Sequence, residues 1–183
     1  MISPIDEYKK IISQRLDENR KSFDLLFGIQ HYGNCISIMR QELDQVIKLL
    51  FLLNSTKSEQ MQFIEASINN HKWFVLTSDN KKDYVTEDIL KEFSETLSGW
   101  DKSIYEFGLA FGSMANTYNY GTKDPIKSMA DKDKEKIFKY ITEYHNKDFS
   151  REYDLGKLIL ELPTILNLIS NNLQKYMDRL YVK

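Results

Sequence analysis

Placed at about 100° per residue, Tyr32, Ile36, Met39, Leu43, Val46, Ile47 and Leu50 fall on one stripe, with Asn34, Ser37, Gln41, Gln45 and Lys48 opposite. Such a period belongs to an amphipathic helix and is incompatible with a strand, whose side chains alternate every second residue. The pattern predicts one long helix over residues 22–53, with Gly28 and Gly33 bending or interrupting its first third. A helix with so continuous a stripe has to bury it against other elements, and the rest of the chain supplies helices to do so.

Ser3-Pro4-Ile5-Asp6 reads as a helix start, with a Ser cap, Pro in the first turn and an acid behind it. Ile5, Tyr8, Ile12 and Leu16 continue that helix over 4–19. Further helices are expected over 58–69, from a Thr86 cap to residue 97, over 100–116, from Asp131 onward, and over 158–180 with Pro163 as a first-turn residue or a kink. Residues 71–83, including Trp73-Phe74-Val75-Leu76, are the least helical and read as a packed loop. Tyr118 to Lys127 reads as a connection, marked by Gly121 and Asp124-Pro125. Only seven Gly and three Pro punctuate 183 residues, which favours long helices over many short strands. The expected fold is all-α: a single domain over 1–183, six or seven helices in a bundle around one long central helix.

Charge and cysteine usage narrow the function. A net charge of −2 disfavours duplex DNA and anionic lipid as partners, because both require a basic footprint. Arg occurs only at positions 15, 20, 40, 151 and 179, so a dedicated phosphate clamp is hard to assemble. Cys35 is the single cysteine, is read as a small buried filler, and agrees with a reducing compartment. The N-terminus has no basic start and apolar run, and the strongest apolar stretch, Val46 to Leu53, contains Lys48 and is too short to span a bilayer. Cytoplasm, with no membrane association, is the expectation.

No familiar catalytic or cofactor motif is present. His31, His71 and His145 lie far apart, and none forms a His-x3-His or His-Glu-x-x-His pair, so no metal site and no cofactor is expected. There is no nucleophile elbow and no Walker or Rossmann glycine pattern. The alternating run Asp131 to Lys136 is a solvated helix start. What remains is a set of polar candidates. Arg40 sits at the edge of the long apolar stripe with Asp44 one turn later, either as a snorkelling ion pair or as a polar pair facing a cleft. Ser113, Asn116 and Tyr118 belong to a hydrogen-bonding run at a helix end, either closing the turn or lining a small pocket. His145 ends another helix, where the dipole favours a cation.

Three stretches together resemble HEPN-like bacterial helical proteins. They are Met39-Arg40-Gln41-Glu42-Leu43-Asp44 leading into Leu49-Leu50-Phe51-Leu52; Asp124-Pro125-Ile126 followed by Ile137-Phe138-Lys139-Tyr140-Ile141 and Tyr144-His145; and Leu162-Pro163-Thr164-Ile165 continuing to Asn171-Asn172-Leu173-Gln174-Lys175-Tyr176. The resemblance spans residues 23–180. It implies an α-helical bundle, often a homodimer, of a kind linked to toxin–antitoxin or phage-defence systems. Active members cut RNA with an Arg and a His separated by about four to six residues. Here no His stands five to seven positions after any Arg, and Ser113 stands where a His is expected after the aromatic helix. Ser cannot transfer the proton from an attacking 2′-hydroxyl as His does. The expectation is therefore a non-catalytic bundle that binds a nucleotide, RNA or protein partner. The alternatives are an enzyme of unfamiliar type, such as a degenerate ribonuclease using Arg40 with His31 or His145, and a purely structural or interaction protein.

Overall fold

The computed structural model describes residues 2–77, 79–115, 123–145 and 153–180. They form eight helices and one small hairpin: α1 (Pro4–Gly28), α2 (Tyr32–Asn54), α3 (Lys57–Ile68), β1 (Phe74–Leu76), β2 (Lys82–Tyr84), α4 (Glu87–Glu95), α5 (Gly99–Ala115), α6 (Pro125–Ser128), α7 (Asp131–His145) and α8 (Leu155–Arg179). The all-α expectation holds. The helix beyond the expected seven is α6, a single turn that begins at Asp124-Pro125 inside the stretch read as a connection.

Two boundaries differ from the sequence reading. Residues 22–28 belong to α1, because nothing between Asn19 and Ser22 breaks the helix. The break comes instead at Gln30, which adopts φ 62°. Its N–H reaches the Phe27 carbonyl at 3.0 Å and the His31 N–H reaches Leu26 at 2.8 Å, the paired bonds of a Schellman stop. The same device ends α3, with Asn70 at φ 58° and His71 bonded to Ala66 at 2.7 Å. Neither stop uses a glycine, so the usual sequence signal is absent. Pro163 lies inside α8, well past its first turn, and the helix continues through it.

The segment read as a packed loop is an antiparallel hairpin, with Phe74 opposite Tyr84 and Leu76 opposite Lys82. Strands of three residues carry too little alternation to be recognised, and tertiary contacts hold them in place. Trp73 stacks on Phe63 at 4.9 Å and donates its indole N–H to Ser67 Oγ at 2.8 Å, while Gln62 donates to the Phe74 carbonyl at 2.6 Å.

The core follows from α2, which packs against α1, α3, α4, α5 and α8. Its buried face is wider than the stripe alone, since Cys35, Ile38, Leu49 and Leu52 are buried beside Ile36, Met39, Leu43, Val46 and Leu50. A second seam joins α5 to α7, where Phe107 stacks on Tyr140 at 4.5 Å. Asp124 links the late elements: one carboxylate oxygen accepts from the Ile126 N–H and the other from the Leu155 N–H at the start of α8.

Two carboxyl side chains are buried among the described residues, Glu42 and Glu161, and Glu42 is the deeper. Glu42 is 2% exposed on the α1-facing side of α2 and accepts from the Asn19 side-chain amide. Burial pushes its carboxyl above the ordinary value, and the Asn19 bond and Arg15 charge offset this only in part. The folded state therefore holds the proton more tightly than the unfolded chain does. The stability contribution is complete below the unfolded value and is lost as pH rises through the folded one. Glu42→Gln keeps a carbonyl acceptor for Asn19, and near neutral pH it should raise stability by on the order of 1 kcal/mol. Urea unfolding at several pH values tests this. The gain must shrink as pH falls toward 4.5, and a gain independent of pH would rule out ionisation as its source.

Candidate functional site

Helices α2, α4 and α5 enclose a cleft of about 590 Å³, a volume in the range of small-molecule sites. Its placement follows from how α5 meets α2. A Cβ built on Gly108 would touch Leu43 at 3.6 Å, and one on Gly112 would lie 3.9 Å from Arg40 Nε. Both are ordinary contact distances, and the two glycines, one turn apart, line the cleft without a side chain to fill it. Leu43 and Ile47 line the α2 side of the apolar surface, joined by Leu90 from α4 and Leu109 from α5; Leu109 remains 50% exposed.

The polar groups come from all three helices. Arg40, Asp44 and Lys48 follow one another at intervals of one turn along α2, while α4 contributes Asp88 and Lys91 and α5 contributes Ser113. Arg40, Asp44, Lys48, Asp88 and Lys91 are all exposed. Arg40 thus lies exposed on α2 and lines the cleft, with Asp44 one turn on. The Ser113 hydroxyl donates to the Ala110 carbonyl at 2.7 Å, inside its own helix.

The structure thus brings together three of the residues singled out in the sequence, Arg40, Asp44 and Ser113. It places His145 elsewhere. That residue closes α7, with its ring 5.6 Å from Tyr140. The end of α7 meets the start of α5, where Ser103 donates to Glu143 at 3.2 Å. Ser103 and Ser113 are roughly 15 Å apart along α5, so His145 and Arg40 sit at opposite ends of that helix. His31 occupies the cap position of α2, nine residues before Arg40. That spacing puts the two about 13 Å apart along the axis and on opposite faces. Neither histidine forms a pair with Arg40. Asn116 and Tyr118 lie outside the described residues.

Sequence reading missed Lys48, Asp88 and Lys91. Lys48 was assigned to the solvent face, and no signal in α4 marks it as the cleft's third wall. A smaller hollow of about 400 Å³ lies at the start of α5, between Lys102, Ser103, Lys139 and Glu143. Among the described residues, no three His, Cys, Asp or Glu side chains converge in a way that could hold a metal ion. No described helix is long and apolar enough to cross a membrane.

In chemical terms the cleft combines an apolar floor, three cations, two carboxylates and the hydroxyls of Tyr105 and Ser113. Its described lining contains no His and no Cys, the side chains that most readily exchange protons near neutral pH. The fold and site define a class, an all-α bundle with a mixed-charge cleft. Against protein-family models, curated proteins and solved structures, the chain has no match.

Proposed function

We propose that this chain is a non-catalytic binding protein whose α2–α4–α5 cleft receives a nucleotide, either free or within single-stranded RNA. The observation that carries the reading is the convergence of Arg40, Lys48 and Lys91 around one apolar floor. A nucleotide has the matching division into a flat apolar base and an anionic phosphate. Arg40 provides a planar donor fork for phosphate oxygens, and Asp44 and Asp88 provide acceptors for donors on a base edge. The resemblance to HEPN-like bundles supports the same class of ligand and a defence or toxin–antitoxin setting. The displaced histidines support the non-catalytic half of the reading.

Titration calorimetry with AMP, GMP and a short single-stranded RNA tests this. Arg40→Ala should weaken binding by about tenfold or more, the range of one lost charge-assisted bond of 1.5–3 kcal/mol. Binding that ignores Arg40 would remove the cleft from the reading. If the purified protein degraded RNA and Arg40→Ala abolished that activity, the non-catalytic assignment would be wrong. The resemblance also implies a homodimer, which light scattering would show as a mass near twice the 21.6 kDa of the chain.

A further inference from the structure

We infer that α4 is a hinged wall that closes over the phosphate of the cleft's ligand, with Lys91 moving onto an anion held from the α2 side by Arg40 and Lys48; this rests on the nucleotide reading of the cleft.

Among the described residues of 86–97, every side-chain hydrogen bond stays inside the segment. Thr86 caps the Ile89 N–H, Ser94 donates to the Lys91 carbonyl, and Thr96 donates to the Phe93 carbonyl. The segment's non-helical backbone bonds are equally local. Among the described residues no ion pair joins α4 to another element. Among the described side chains, apolar contact is the main anchor of the helix, with Ser94 also buried. Phe93 meets Phe51 edge-on at 5.3 Å, and Phe93 and Leu97 rest half-buried against the core. Leu90 lines the cleft and is not part of that packing. By contrast, α2 buries ten residues and α8 twelve. A segment with few buried contacts and only local hydrogen bonds opens at low free-energy cost.

Both ends of the segment can act as pivots. On the entry side, Val85 is tied to the hairpin by its N–H to the Trp73 carbonyl at 3.0 Å. On the exit side, Gly99 adopts φ 56°, a conformation that glycine enters without strain.

Charge gives the motion its trigger. Closing the wall on an empty cleft brings both Lys91 and Asp88 toward Arg40 and Lys48, so repulsion and attraction offset and the empty cleft has little charge drive to close. A phosphate dianion among the three cations favours the closed position. Closure also lays Leu90 toward Ile47 and the half-exposed Leu109, removing apolar surface from water.

Hydrogen exchange on the intact chain, followed by mass spectrometry, tests the inference with GMP, AMP and guanosine as probes. In the free protein, amides of 88–97 should exchange at least about 100-fold faster than those of 42–52, as expected for a locally opening segment. The nucleotide that binds should slow α4 exchange by about tenfold or more, guanosine should not, and Lys91→Ala should abolish the slowing. If α4 is as protected as α2 in the free protein, there is no hinge. If calorimetry detects nucleotide binding while α4 exchange is unchanged, the wall is rigid, and the nucleotide reading survives without it. If neither GMP nor AMP binds, both fall together.

Discussion

Phe107→Ala is expected to lower the unfolding free energy by about 3–5 kcal/mol, the range for deleting a large, fully buried ring. Phe107 is completely buried, stacks on Tyr140 at 4.5 Å and lies 5.4 Å from Phe111. The cost has two parts. Transfer of the lost ring to water is one, and the void left between α5 and α7 is the other, because the neighbouring rings cannot collapse into it without leaving their rotamers. Against a typical total of about 5–15 kcal/mol, the variant should stand close to the folding threshold. Urea unfolding measures this, with the midpoint falling and the slope nearly constant. A loss under about 1 kcal/mol would mean that the α5–α7 seam does not hold the bundle together. Since α5 also carries Gly108, Gly112 and Ser113, any loosening of the seam should disturb the cleft as well.

The second large effect is expected at Gly112, where size separates stability from binding. Gly112→Ala adds a Cβ at ordinary contact distance from Arg40 Nε, 3.9 Å. Replacing glycine in a helix interior by alanine should then raise stability by about 0.5–1 kcal/mol and leave nucleotide affinity within a few-fold. Gly112→Phe puts a ring into the cleft and drives the Arg40 side chain from its place along α5. Affinity should fall by about 100-fold or more, near 3 kcal/mol, while the protein still unfolds cooperatively. Calorimetry and urea unfolding on both variants provide the check. Unchanged binding by the Phe variant would exclude this cleft as the ligand's location.

Much of the fold was legible because the signals that encode it are local. The stripe from Tyr32 to Leu50 requires a helix whatever surrounds it. Ser3 and Thr86 at N-caps mark helix starts through side-chain bonds to amides three residues on. The misread boundary between the first two helices has a physical cause. Gln30 takes a left-handed conformation that its residue type does not announce, and the chain accepts it because Schellman bonds and the packing around it compensate. The hairpin was hidden for a related reason. Three-residue strands have no stability of their own, and Trp73, Gln62 and Ser67 supply it from outside.

The site divides in the same way. Arg40 and Asp44 were visible because a turn's spacing on one helix is written in the sequence. That they face a cleft was not, nor was the company of Lys48, Asp88 and Lys91, since those residues meet only after α4 folds back beside α2. Glu42 shows the limit from the other side: a glutamate on a helix reads as solvated, and only the approach of α1, bringing Asn19, buries it.

The sequence by itself therefore determined the periodicities, the caps and the residue types from which a site could be made. Tertiary structure decided which of those residues share a surface, joining Arg40, Asp44 and Ser113 while sending His31 and His145 elsewhere. The physical reason is one of range. Helix formation and capping act over a few residues, whereas a cleft depends on where helices distant in sequence pack. Here the cleft forms where α4 and α5, far from Arg40 in sequence, pack against α2.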